Sequence, residues 1–469
     1  MEKKNIEYSK TATEYSSTRN ACKLCSPLGA CLVFKGIEGC VPMIHGSQGC
    51  ATYIRRYLIS HFREPMDIAS TNFSESATIF GGNKNFCTGL DNIIDQYHPK
   101  VLGISTTCLS ETIGEDVQML IKEYKHTRKG QEVPVLIHAE TPSYQGSHMD
   151  GFFEAVYKTV KTVAVKGEKK NKVNIFPGFI SPEDIRYLKE ILNDFEMEHI
   201  LFPDYSETLD NTNWEKYINI PSGGTPVNEI EDTANSIATI ELGKVLNYGN
   251  ISGKLQKKNV TTAGKYLKHN FNVPLYNTGL PVGITETDKF ISILENISNK
   301  EIPEKIKKER GRLVDAYVDA HKYLFGKKAV VYGEEDLVIG LVHFLREIGI
   351  NVILAASGGQ SGLLQEHLNN NSSEETYETV IGQGWDFEKI AAFADISKPD
   401  IFIGNSKAYY ITRKLGIPLV RVGFPIHDRF GGQRIMHLGY RGTQQLFDRI
   451  TNAILEYKQE NSPVGYKYL

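Results

Sequence analysis

Short, continuously apolar runs alternating with amphipathic helical patterns constrain this chain more than any other feature. Residues 101–105, 135–139, 173–177, 199–203 and 273–277 read as strands, as do 328–332, 352–356, 400–404 and 418–422. Runs that are apolar throughout, rather than at every second position, suit strands covered on both faces. Helical patterns fall between or after them, at about 115–125, 182–195, 287–297, 303–324, 335–348 and 443–457. This alternation predicts an α/β fold of mostly parallel sheets flanked by helices, with Rossmann-like topology. A chain of 469 residues exceeds one compact core. The pattern divides into three units: 1–170 with the cysteines, 171–300, and 301–469 with a long helix and a C-terminal helix. Gly- and Ser-rich loops at 222–225 and 357–362 punctuate it.

Composition excludes several classes. Apolar residues at 41% and charged residues at 23% fit a folded globular protein and not a disordered one. The 53 basic and 56 acidic residues nearly cancel, and no basic patch suggests nucleic-acid binding. Met1–Asn20 is polar and lacks a signal-peptide apolar region. No stretch approaches the roughly 20 apolar residues that span a bilayer. A cytoplasmic protein without membrane contact is expected.

All seven cysteines, Cys22, Cys25, Cys31, Cys40, Cys50, Cys87 and Cys108, precede residue 110. In a reducing compartment, such crowding points to metal or redox chemistry more than to disulfides. Cys25 lies in CSPLGAC, where Pro27 and Gly29 predict a turn. Cys50 closes HGSQGC, where Gly46 and Gly49 allow close backbone approach and N–H groups aimed at an anion. Cys108, in STTCLSETIGED, follows a predicted strand in the crevice where open α/β sheets place ligands. Thiolates at these positions suit an iron–sulfur cluster. Other readings stay open: a redox pair at Cys22-x-x-Cys25, a zinc site lacking its second Cys-x-x-Cys, and small core residues at Cys31, Cys40 and Cys87. Asp315 and Asp319 share a helix face and either bind a hard cation or form a solvated surface.

The motifs CSPLGA, HGSQGC, HFREP, FGG, STTCLSETIGED, TPSYQGSHMDGF, ERGRLVDAYVDAH and GFPIHDRFGG occur in one order over nearly the whole chain. In that order they resemble β-type subunits of the nitrogenase component 1 family. The resemblance implies three Rossmann-like domains and pairing with a homologous α-type subunit in an α2β2 heterotetramer. It also implies an 8Fe-7S cluster at the α–β interface, held from this side by Cys25, Cys50 and Cys108. The resemblance further implies that Ser143, which alone reads as a turn residue, would join the ligands when the cluster is oxidised. Glu64, Asp315 and Asp319 would bind a mononuclear cation between two β chains.

Two functions follow from the resemblance. In one, the chain relays electrons from an ATP-dependent iron protein to a cofactor in the α-type partner for reduction of dinitrogen. In the other it is part of a scaffold for assembly of the iron–molybdenum cofactor, with a 4Fe-4S cluster; the short segment before Cys25 and SGGTPVNEIED lean that way. A related reductase of another substrate is a further alternative. No P-loop motif is present, in keeping with ATP being handled by another protein. No cysteine follows Cys108, so no later thiolate is available for a substrate-reducing cofactor, and His427 reads as a structural or interface residue.

Overall fold

The computed structural model describes residues 20–213, 215–245, 261–369 and 378–465. The polar segment read at Met1–Asn20 lies outside them except for Asn20. Thirteen described strands form three sheets, and every strand pairing is parallel. The first contains β1 (Cys40–His45), β2 (Ala69–Ser70), β3 (Val101–Thr106) and β4 (Val135–Ala139), in the order β2-β1-β3-β4. The second contains β5 (Val173–Phe176), β6 (His199–Leu201), β7 (Ala238–Leu242) and β8 (Leu275–Thr278), in the order β6-β5-β7-β8. The third contains β9 (Lys328–Tyr332), β10 (Asn351–Ser357), β11 (Val380–Gln383), β12 (Ile401–Gly404) and β13 (Leu419–Arg421), in the order β11-β10-β9-β12-β13. Strands β1, β3, β5, β7 and β12 are buried along their full length; β3, β5 and β12 read as apolar runs in the sequence for that reason, whereas β1 and β7 were not among the predicted strands.

Around the first sheet lie α1 (Ser26–Lys35), α2 (Gln48–Phe62), α3 (Glu75–Phe80), α4 (Asn83–Tyr97), α5 (Cys108–Thr112), α6 (Val117–Thr127) and α7 (His148–Val163). The turn expected around Pro27 and Gly29 is instead helix α1, with all ten residues buried. Proline is harmless in a first helical turn, where its missing N–H would have no partner. Gly29 faces α7 so closely that a Cβ there would lie 1.7 Å from the His148 carbonyl oxygen. Gly151 on α7 answers it, since its Cβ would lie 1.9 Å from the Ser26 oxygen. The two glycines therefore set how closely the helices pack.

The third layer is tied to the first through α2. The His61 ring accepts from the Ile426 N–H at 2.9 Å, and Arg63 donates to the His427 carbonyl at 3.1 Å. Ser60 Oγ lies 2.6 Å from His427 Nδ1. His427 is thus a contact between layers, as its sequence context suggested. Burial drives His61 down to about 3, so its ring stays neutral and keeps accepting. Among the described residues, no helix is long and apolar enough to cross a membrane.

Candidate metal centre

Neighbouring strands of the first sheet end at one carboxyl edge, and each delivers a candidate ligand. β1 runs through Gly46 into α2, whose first turn holds Cys50. β3 runs through Thr107 into α5, whose first residue is Cys108. β4 runs into the Thr141-Pro142-Ser143 loop, and Ser147 then caps α7 in a capping box with Asp150. Hydroxyls tie the three ends together. Thr107 Oγ1 donates to the His45 carbonyl at 3.3 Å, and Thr141 Oγ1 donates to the Thr106 carbonyl at 2.6 Å. Gly46 is required there, because a Cβ would lie 2.3 Å from Thr107 Oγ1. At Gly49 the nearest protein atom to an added Cβ is Ser47 Oγ at 3.8 Å, so no neighbouring protein group demands glycine there.

Cys25 reaches the same edge from the other direction, as the N-cap of α1. The Leu24 N–H donates to His148 Nδ1 at 3.3 Å, and the Ser26 N–H donates to Ser143 Oγ at 3.1 Å. Because Nδ1 accepts, the His148 ring proton resides on Nε2, which faces Glu334 Oε1 at 3.2 Å. Burial raises the Cys25 pKa; a hydrogen bond from the Ser143 side chain opposes the rise, the Cys108 and Cys50 thiols add to it, and Lys23 opposes it. Thus Cys25, Cys50, Cys108 and Ser143 meet in one place. Ser47 Oγ also lies 3.7 Å from Cys50 Sγ. Three of the four groups sit at helix N-termini, where unpaired N–H groups favour negative charge.

The other cysteines lie elsewhere. Burial pushes Cys22, Cys31 and Cys40 up to about 12, as expected of thiols in an apolar core. Cys22 packs with Tyr332 and Phe387 against the third sheet and does not join the group around Cys25. Cys87 is only half-buried, on α4, and donates to Asn83 Oδ1 at 3.3 Å. Sequence reasoning missed Lys23 and Lys407, which both act electrostatically on Cys25. Their motifs carry no cysteine or histidine spacing that would mark them.

The second candidate set is divided. Glu64 follows α2 and accepts from the Asn211 N–H at 2.9 Å. Asp315 and Asp319 lie one turn apart on the exposed face of the helix Glu304–Leu324. Among the described residues, no three His, Cys, Asp or Glu side chains are placed to hold a single metal ion. A cluster requires no such convergence, because its cysteines bind different irons.

Fold and site together define an α/β protein of three parallel sheets with three cysteine thiols gathered at the carboxyl edge of the first. The nitrogenase component 1 type oxidoreductase family model matches residues 25–455. This chain belongs to that family, on its β-type side. It is 36% identical over 439 residues to the nitrogenase molybdenum-iron protein beta chain of Clostridium pasteurianum, covering 93% of each chain. It is 34% identical to the corresponding chain of Azotobacter vinelandii, covering 95% of this chain and 86% of that one. A solved structure described as nitrogenase Cp1 at pH 6.5 superposes with a TM-score of 0.91 at 34% identity, over 98% of this chain and 99% of that one.

Proposed function

We propose that this chain is the β-type subunit of a cytoplasmic nitrogenase-like component 1, and that Cys25, Cys50, Cys108 and Ser143 hold its share of an iron–sulfur cluster bridging to a homologous α-type subunit. The observation that carries this reading is the meeting of these four side chains at one sheet edge, while the other cysteines lie apart. A cluster of the 8Fe-7S type would supply one-electron transfer there. The chain's own work is to present three thiolates at helix N-termini. Iron binding would offset the cost that burial imposes on the Cys25 thiolate. The Ser143 hydroxyl offers a harder oxygen ligand suited to more oxidised iron.

On this reading the chain passes electrons from an ATP-dependent iron protein toward a cofactor in the α-type partner, for reduction of dinitrogen. An apolar patch supports a docking partner: Ile79 and Phe80, at the end of α3, are 74% and 86% exposed. Glu115, just past α5, accepts the Gly82 N–H at 2.7 Å and so ties this patch to the Cys108 helix. We place Glu64, Asp315 and Asp319 at a cation site completed by a second copy of the chain, in an α2β2 assembly.

Low-temperature EPR of the dithionite-reduced complex, purified anaerobically with its partner, tests the reading. A spin-3/2 cofactor signal with a silent interface cluster is expected. A spin-1/2 signal of 4Fe-4S type without the cofactor signal would instead assign the chain to a cofactor-assembly scaffold. Absence of iron would reject both.

A further inference from the structure

Cations shielded from water are normally paired with carboxylates, because an isolated ammonium loses hydration that nothing replaces. Lys407 breaks this pattern. It lies in the 3-10 turn Ser406–Ala408 after β12 and is partly buried. Its Nζ donates to the Ala21 carbonyl at 3.3 Å and sits 5.7 Å from the centre of the Tyr57 ring. Ala21 leads into the Cys25 segment, and Tyr57 belongs to α2, which begins at the Cys50 turn. The ammonium, carried on a turn of the third layer, is therefore held between two cysteine-bearing segments.

Among the described residues, no Asp or Glu side chain pairs with it. Burial lowers the Lys407 pKa, and the acidic groups opposing that shift are the thiols of Cys22 and Cys25. Cys22 is fully buried and pushed up to about 12, so its thiol stays protonated at neutral pH. The anion left for Lys407 to serve is the one at Cys25. Lys23 also acts on Cys25, but its Nζ is directed to the Gly146 carbonyl at 3.5 Å.

We propose that Lys407 is a positioning residue whose fixed positive charge raises the reduction potential of the cluster held at Cys25. The proposal rests on the reading of Cys25 as a ligand. Reduction adds one electron to the cluster, supplied by the reductant, and a nearby cation stabilises the more negative state. Neutralising Lys407 should therefore lower the midpoint potential without removing iron.

The test uses the complex purified anaerobically with its partner, as wild type and with Lys407→Gln, Lys407→Arg or Cys25→Ala. Iron content is measured alongside an EPR-monitored redox titration. Lys407→Gln should keep its iron and titrate at lower potential, while Lys407→Arg stays near wild type. A wild-type potential in Lys407→Gln would overturn the proposal, as would an equal shift in Lys407→Arg. If Lys407→Gln loses iron, retention in Lys407→Arg supports the charge, and loss from Lys407→Arg as well shows a packing role and overturns it. Full iron in Cys25→Ala would refute the ligand reading itself, independently of Lys407.

Discussion

Replacing Gly29 by alanine should force apart the two helices that hold Cys25 against Ser143. The added Cβ would lie 1.7 Å from the His148 carbonyl oxygen and 2.7 Å from the Phe152 nitrogen. Both are backbone atoms of α7, so no side chain can swing away. Relief to a 3.0 Å contact requires a shift of about 1.3 Å between helices. Every residue of α1 is buried, so the shift disturbs packing along its whole length. Overpacking typically costs about 1–3 kcal/mol, and a backbone clash belongs at the upper end. Alanine recovers about 1 kcal/mol of helix propensity, leaving a net loss of roughly 2 kcal/mol. For a cooperative unit of about 150–250 residues, that corresponds to a melting transition lower by roughly 4–8 °C. Calorimetry on the anaerobic complex reads the shift. Iron content should also fall, because Cys25 is the N-cap of the displaced helix. The control is Gly311→Ala, at an open site in the middle of the helix Glu304–Leu324, which should be neutral or stabilising. An unchanged melting temperature with full iron in Gly29→Ala would refute the reasoning.

Further outcomes follow from the same geometry. Cys50→Ala should lose most cluster iron on anaerobic purification, and full retention would remove Cys50 from the ligand set. Burial raises Glu335 to about 7 from its ordinary 4.5, so the fold favours its neutral form. Its stabilisation is complete below about pH 4.5 and is lost as pH rises through about 7. Glu335→Gln should therefore raise thermal stability at pH 8, by on the order of 1–2 kcal/mol, and change it little at pH 5; equal effects at both values would contradict this. Asp315→Ala should weaken association between two copies of the chain with cluster iron unchanged. Sedimentation showing an intact tetramer with its cation still bound would count against that site.

Much of the fold was legible because parallel strands buried on both faces leave unbroken apolar runs. β4 and β9 coincide with their predicted ranges, and β3 runs one residue longer. Elements whose local residues serve tertiary contacts were not legible. α1 was read as a turn because Pro27 and Gly29 are turn formers on their own, and nothing nearby reveals that Gly29 is small to admit the α7 backbone. β1 escaped because Pro42 interrupts it. Its second neighbour β2 pairs only at Met43 and Ile44, so the proline sits where that side of the ladder is absent.

The same division holds at the site. The cysteines could be found by position, but seven cysteines do not announce which three come together. The structure separates them by what precedes each thiol. Cys50 and Cys108 each follow a parallel strand and begin a helix, so both lie at the carboxyl edge of one sheet. Among the described residues, no strand precedes Cys25. It reaches that edge only because α1 packs on α7, and because His148 and Ser143 accept the N–H groups on either side of it. Cys22, three residues earlier, is carried by an antiparallel bridge between Ala21 and Asp386 into the core of the third layer. Two cysteines in one short motif therefore acquire opposite chemistry: a thiol sealed in apolar packing, and one at a helix terminus beside two others. No spacing rule separates them, because the contacts that do so come from residues more than a hundred positions away.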